Sequence, residues 1–352
     1  MDEFKKFLNE RFSAENPNLV PVFCDQLTKA EYIDTTNGAV KDHEKFKKDI
    51  VEKVSSCAPL RALFSWETDV VAAMDAVLRS IVDLTPHQSR TTEEFSAELG
   101  KVLFHLSRAG SGENKALESP RESINRVLVP ILADRIAEHD PDGDAHVVWS
   151  EALVEPSQKP DASIRAVVNS AIHISRAASR KSTKIRPSDL GAVLEFPFKN
   201  PESAMEEKFG ISKAMLLSDK FFGMTEEDWG NCLLRLVQIG AACDNAQPKP
   251  GTLIYLLGLE WPFSSIDGNK SGDSKLYKKK SAKTEQEWRS PVILVGGKQS
   301  PGVLSVFRNC SISIPREQVE KWNPRYRLRE ELVAQLTQSY ARHTSRLGVV
   351  QL

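Results

Sequence analysis

The chain has 352 residues, 40% hydrophobic and 27% charged, and its 47 basic and 48 acidic side chains leave a formal net charge of −1. That length supports two or three domains with sizeable cores. The balance of charge excludes a globally polycationic nucleic-acid binder and an acidic disordered tail, and no apolar run approaches the roughly 18 residues of a membrane span.

Residues 1–12 (MDEFKKFLNERF) read as an amphipathic helix without the apolar core or cleavage pattern of a secretory leader, so a cytoplasmic location is expected. Residues 19–24 (LVPVFC) read as a short extended segment. Helical spacing then recurs through the first half. Residues 42–56 carry Phe46, Ile50, Val51 and Val54 at that spacing. Residues 69–84 carry Val70, Val71, Met74, Val77, Leu78, Ile81 and Val82. Residues 93–107 follow the cap candidates Thr91 and Thr92 and stop short of Gly110. Residues 121–138 contain Pro130, which must kink or restart their helix. Residues 161–178 place Ile164, Val167, Val168 and Ile172 on one face behind an Asp161 cap.

From about residue 185 short apolar runs and turn residues replace these stripes. Residues 192–196, 252–258 and 291–295 read as strands, and 233–239 as a strand or helix end. Residues 303–307 and 310–314 alternate at period two. A final helix is expected over about 326–345, with Leu328, Leu332, Val333, Leu336 and Tyr340 on one face. The predicted class is α+β: a helical domain over 1–185, a small antiparallel β-rich domain over 186–325 with a Lys-rich insertion at 264–288, and a C-terminal helix in 326–352.

Three segments carry candidate chemistry. Residues 140–151 (DPDGDAHVVWSE) place Asp140, Asp142, Asp144 and Glu151 at positions 1, 3, 5 and 12 of a loop resembling an EF-hand. Ala145 occupies the position where that loop needs glycine, and the competing reading is an acidic turn between helices. Cys243 ends an apolar segment beside Asp244, which makes it a candidate nucleophile, although the acid raises a thiol pKa. The alternative is a structural corner. Lys278, Lys279 and Lys280 in the insertion, with Arg327, Arg329, Arg342 and Arg346 near the C-terminus, are candidates for a phosphate or a partner protein. Solvated loop and internal ion pairs are the competing readings.

The negatives narrow the field. The five cysteines (24, 57, 232, 243, 310) are odd in number, widely spaced and lack a CxxC, which points to reduced thiols and no zinc site. The seven histidines are scattered, and there is no phosphate loop, no GxGxxG opening a βαβ unit, no nucleophile elbow and no kinase signature. Glu195 and Lys199 lack the spacing of a metal-dependent nuclease. No cofactor is expected.

The run 238–247 (QIGAACDNAQ), the strand 253–258, Arg327-Leu-Arg329 and the ending Ser345-Arg346-Leu-Gly348 resemble a bacterial protein family with a CDxAQ segment and a C-terminal SRxG helix. That family is associated with signalling or phage-defence gene neighbourhoods. The resemblance covers about the last 120 residues and carries over no catalytic residue. The leading expectation is a non-enzymatic bacterial adaptor or sensor acting through a protein partner, without membrane insertion. The alternatives are a hydrolase or nuclease with its site near Cys243 and Asp244, and a nucleic-acid-associated component of a defence complex.

Overall fold

A computed structural model describes residues 34, 36, 40–86, 91–139, 145–176, 185–218, 226–240, 251–262, 287–296 and 300–345. The expectations for residues 1–12 and 19–24, and for nearly all of the Lys-rich insertion, lie outside them. The fold is α+β. The chain divides into two compact units, Met1–Glu155 and Pro156–Leu352.

The first unit contains helices α1 (His43–Ser56), α2 (Ala58–Asp83), α3 (Thr92–Ser111), α4 (Glu113–Glu118), α5 (Pro120–Glu138) and α6 (Ala145–Ala152). Thr91 caps α3: its hydroxyl oxygen accepts from the Glu94 N–H and donates to the Glu94 carboxylate, an arrangement that leaves fewer unpaired donors at the helix start. The helix runs past Gly110, which the sequence suggests as its end, and stops at Gly112 with φ of 79°. Gly110 serves packing instead: a Cβ there would meet Val127 Cγ2 at 2.7 Å, so its absence lets α3 approach α5. Helix α5 is continuous through Pro130. Among the described residues, the buried apolar side chains of this unit are Ala62, Ala73, Val77, Ile81 and Ala116.

The second unit opens with α7 (Ala162–His173), held by Asp161, whose carboxylate accepts from the Ile164 N–H at 2.8 Å. Its strands are β1 (Ile174–Arg176), β2 (Ala192–Glu195), β3 (Leu233–Ile239), β4 (Thr252–Pro262), β5 (Glu287–Arg289), β6 (Ile293–Val295), β7 (Ser300–Pro315) and β8 (Pro324–Leu328). They form one antiparallel sheet in the order β1-β8-β2-β3-β4-β7-β5, with β6 also paired to β7. The two period-two runs at 303–307 and 310–314 are one strand, β7, which shifts register against β4 between Leu256 and Gly258. The C-terminal helix, α12 (Glu330–Thr344), starts later than its apolar spacing suggests, because residues 324–328 pair as β8.

Side chains alternate across this sheet. Ile254, Leu256 and Glu260 of β4 share one face with Val237 and Tyr326, under Leu332, Val333 and Leu336 of α12. Leu253, Tyr255, Leu257, Leu259 and Trp261 point to the other. There the cover comes from Met205 of α8 (Pro201–Phe209), Leu216 of α9 (Lys213–Leu217) and Val319 of α11 (Arg316–Val319). Gly191, at φ of 79°, lets α12 settle: a Cβ there would lie 2.4 Å from Val333 Cγ2.

Candidate functional site

Several residues singled out in the sequence lie outside the described residues: Asp140, Asp142, Asp144, Cys243, Asp244, Lys278, Lys279, Lys280 and Arg346. The described ones do not converge. Arg327 is exposed on β8. Arg329 stands at the start of α12, its Nε donating to the Ile174 carbonyl at 3.4 Å, and Arg342 lies in the last turn of that helix. At 1.5 Å per residue the two are about 20 Å apart. Glu151 sits on α6, which already begins at Ala145, and its carboxylate pairs with Arg61 of α2 at 2.6 Å. Among the described residues no three His, Cys, Asp or Glu side chains cluster as metal ligands.

The sheet unit contains a buried polar cluster that sequence spacing does not reveal. Arg235 of β3 lies opposite Gly258 of β4, and its Cβ would be 3.4 Å from a Cβ placed on that glycine. The open space lets the guanidinium run along β4 to Glu260, with Nη2 donating to Oε2 at 2.8 Å. The two side chains are 8% and 1% exposed. The Gly296 N–H donates to the same oxygen at 3.2 Å. Tyr326 is buried beside this pair, and burial, followed by the Glu260 charge, pushes its phenol well above the ordinary range. The Arg176 guanidinium lies 5.3 Å from the Tyr326 ring centroid and donates to the Leu294 carbonyl. Among the described residues, Arg235 Nε, Glu260 Oε1 and the Tyr326 hydroxyl are buried there without a hydrogen-bond partner, while the contacts that are made tie β1, β3, β4, β8 and the turn after β6 to one another.

Next to it, a cavity of about 620 Å³ opens at the ends of β2 and β3, lined by Glu195, Glu202, Trp229, Arg235 and Arg325 among others. Arg325 pairs with Glu195 at 3.2 Å, and Asn323 Nδ2 donates to that carboxylate at 2.9 Å. Trp229 of α10 (Glu226–Asn231) donates from Nε1 to Glu202 at 2.9 Å. The carboxylates of this wall are thus held by protein donors, and Phe196, Pro201, Leu233 and Leu234 give the rest of the cavity an apolar lining.

The helical surfaces show the reverse. Helix α2 buries Ala62, Ala73, Val77 and Ile81 on one side. On another, Phe64, Val71, Met74, Leu78 and Val82 are each between 40% and 51% exposed. Helical spacing at 3.6 residues per turn puts these five, with Glu67, along one face. Helix α7 is inverted in the same sense. Its Asn169 donates to the Val292 carbonyl at 2.9 Å and its Ser170 hydroxyl accepts from the Leu294 N–H at 2.8 Å. The helix is therefore fixed to the sheet by its polar side, and Ile164, Val167, Val168 and Ile172 face outward. The sequence carried a signal for α2: seven apolar residues between 70 and 82 make too broad a stripe for one buried face.

No protein-family profile, curated protein or solved structure matched the chain. Among the described residues no helix is long and apolar enough to cross a membrane.

Proposed function

We propose that this chain is a non-enzymatic adaptor or sensor that works by protein–protein contact, with the second apolar face of α2 as its docking surface. The observation that carries this reading is the row Phe64, Val71, Met74, Leu78 and Val82 on a helix whose opposite side already packs inside its unit. A helix apolar on two sides gains stability by covering the second one. The partner that fits a straight row at this spacing is an amphipathic helix, laid along α2 with its apolar anchors three and four residues apart. A cytoplasmic bacterial setting in signalling or phage defence is part of the proposal. Its support is the resemblance of residues 238–247 and 345–348 to proteins from such loci.

Full-length protein carrying Phe64→Glu and Leu78→Glu tests the reading. In cells that make the chain, cross-links from α2 map to an amphipathic helix of a partner. The double variant loses at least ten-fold of that yield while its melting temperature stays unchanged. Undiminished cross-linking by a folded double variant sinks the proposal. A catalytic Cys243 is addressed separately: Cys243→Ala leaves partner binding and downstream output intact, and loss of output from a stable Cys243→Ala protein favours the enzyme alternative.

A further inference from the structure

We propose that the occupant of the α2 face is a basic amphipathic helix, one that carries lysines or arginines on both flanks of its apolar row. The inference rests on reading that face as a docking surface and names the chemistry of the partner.

Two carboxylates set this preference. At about 100° of helical rotation per residue, Glu67 lies about 30° to one side of the centre line through Phe64, Val71, Met74, Leu78 and Val82, and Asp75 lies about 50° to the other. The two are about 12 Å apart along the axis. Both are exposed, and among the described residues neither makes an ion pair or a hydrogen bond. The helix itself does not neutralise them. Its two cations, Arg61 and Arg79, stand about 90° from the centre line, and Arg61 is engaged by Glu151 at 2.6 Å. The face therefore presents apolar anchors between two unpaired negative charges. A helix that lays its own anchors along this row brings its flanking positions within reach of both carboxylates. Once the contact excludes part of the water, acids at those positions repel and bases attract. The same charges weigh against two other occupants. An anionic bilayer repels the carboxylates that it would have to cover. A second copy of the chain brings the same two acids to the contact.

Two synthetic probes read this preference on the full-length protein. Both are fluorescein-labelled helical peptides with leucines at alternating three- and four-residue intervals. One has lysines on both flanks of that row, and the other has glutamates there. Fluorescence anisotropy in low salt gives at least ten-fold tighter binding of the lysine peptide, and roughly 0.5 M salt removes most of the difference. Glu67→Lys/Asp75→Lys reverses the preference while the melting temperature stays unchanged. Phe64→Ser/Leu78→Ser, which removes two anchors without adding charge, weakens the lysine peptide at least ten-fold. A preference for lysine that survives Glu67→Lys/Asp75→Lys places the attraction elsewhere on the chain and overturns the inference. A dimer of the free protein, or binding to phosphatidylserine vesicles, that Phe64→Ser/Leu78→Ser abolishes assigns the face to a second copy or to a bilayer and also overturns it. The two readings fail separately. If both peptides bind equally and both are lost in Phe64→Ser/Leu78→Ser, the docking surface stands and only its choice of charge is wrong. If neither peptide binds, or if that variant binds them undiminished, the docking surface itself is wrong.

Discussion

Among the described residues, the sheet unit buries thirty-five apolar side chains and the helical unit five, three of them alanines. Among the same residues, the helical unit leaves fifteen large apolar side chains exposed, against six in the sheet unit. The contrast separates two ways of using the same residue types. The sheet unit covers both faces of one sheet with its own helices, and it fixes its register with a buried ion pair. The helical unit meets the conformational entropy of ordering long helices with a thin interior of small side chains. Its remaining described apolar rows are placed to gain stability from an added surface, which is what the proposed docking role uses.

The strongest way to sharpen this contrast is to break the buried pair. Glu260→Gln leaves Arg235 charged and without its carboxylate in the interior, at a cost of about 3–5 kcal/mol. Urea unfolding of the variant, followed by Trp fluorescence, measures it. A loss below 1 kcal/mol would mean that water already reaches the pair and that the sheet interior is less closed than described.

Truncation of single leucines comes next. Leu256→Ala, in the fully buried face under α12, costs about 2–5 kcal/mol. Leu78→Ala tests the other side of the comparison. With Leu78 51% exposed, its truncation costs a few tenths of a kcal/mol. A loss above about 1 kcal/mol would mean that this face is covered in the isolated protein and is no free docking surface.

These effects also show what could be read in advance. Strands β2, β4, β6 and β7 are legible because short apolar runs, alternation and turn residues act locally, whereas the pattern of 233–239 leaves β3 open between a strand and a helix end. Strand β7 was divided in two because its register shift interrupts the alternation around Arg308 and Asn309. Strand β8 was absorbed into the last helix because Leu328 fits the spacing of Leu332 and Leu336 as well as it fits period two. Strand β1 was hidden in the same way, since Ile174 follows Ile172 and continues an apolar run. The Arg235–Glu260 pair was not legible: the residues are 25 apart, and only the β3–β4 register and the missing side chain of Gly258 bring them together. For α7 the apolar positions were found, but their burial depends on the polar pairing of Asn169 and Ser170 with the segment around β6, which local pattern does not encode.

Alkaline pH distinguishes the units by a smaller margin. Burial pushes the Cys310 thiol up to about 12, and it also pushes Tyr255 and Tyr326 upward. A thiol that keeps its proton longer when folded contributes its full stabilisation below pH 9. The unfolded chain ionises first, so stability falls by about 1.4 kcal/mol per pH unit from pH 9 until the folded value is reached. Cys310 alone therefore removes about 2 kcal/mol between pH 9 and pH 10.5. The tyrosines steepen the fall above pH 10. All three groups lie in the sheet unit, so the sheet's amide protection drops first in hydrogen exchange at high pH. Cys310→Ala flattens the slope between pH 9 and 10, and a slope that the substitution leaves unchanged would remove the thiol from this account.

The smallest expected effect concerns the surface of the helical unit. Arg61 and Glu151 form an ion pair at 2.6 Å, with side chains 40% and 51% exposed. Solvent screens a pair of this kind, and the ordering of two long side chains offsets most of its attraction, so Glu151→Gln changes stability by about 0–1 kcal/mol. The same variant bears on calcium. Glu151 would close an EF-hand-like loop bidentately, yet it stands on a helix with its carboxylate engaged by a cation. Millimolar calcium is expected to leave the melting temperature of both proteins unchanged. A rise in the natural chain that Glu151→Gln abolishes would mean that the ion draws this carboxylate away from Arg61 and that the helical unit gains order from a metal.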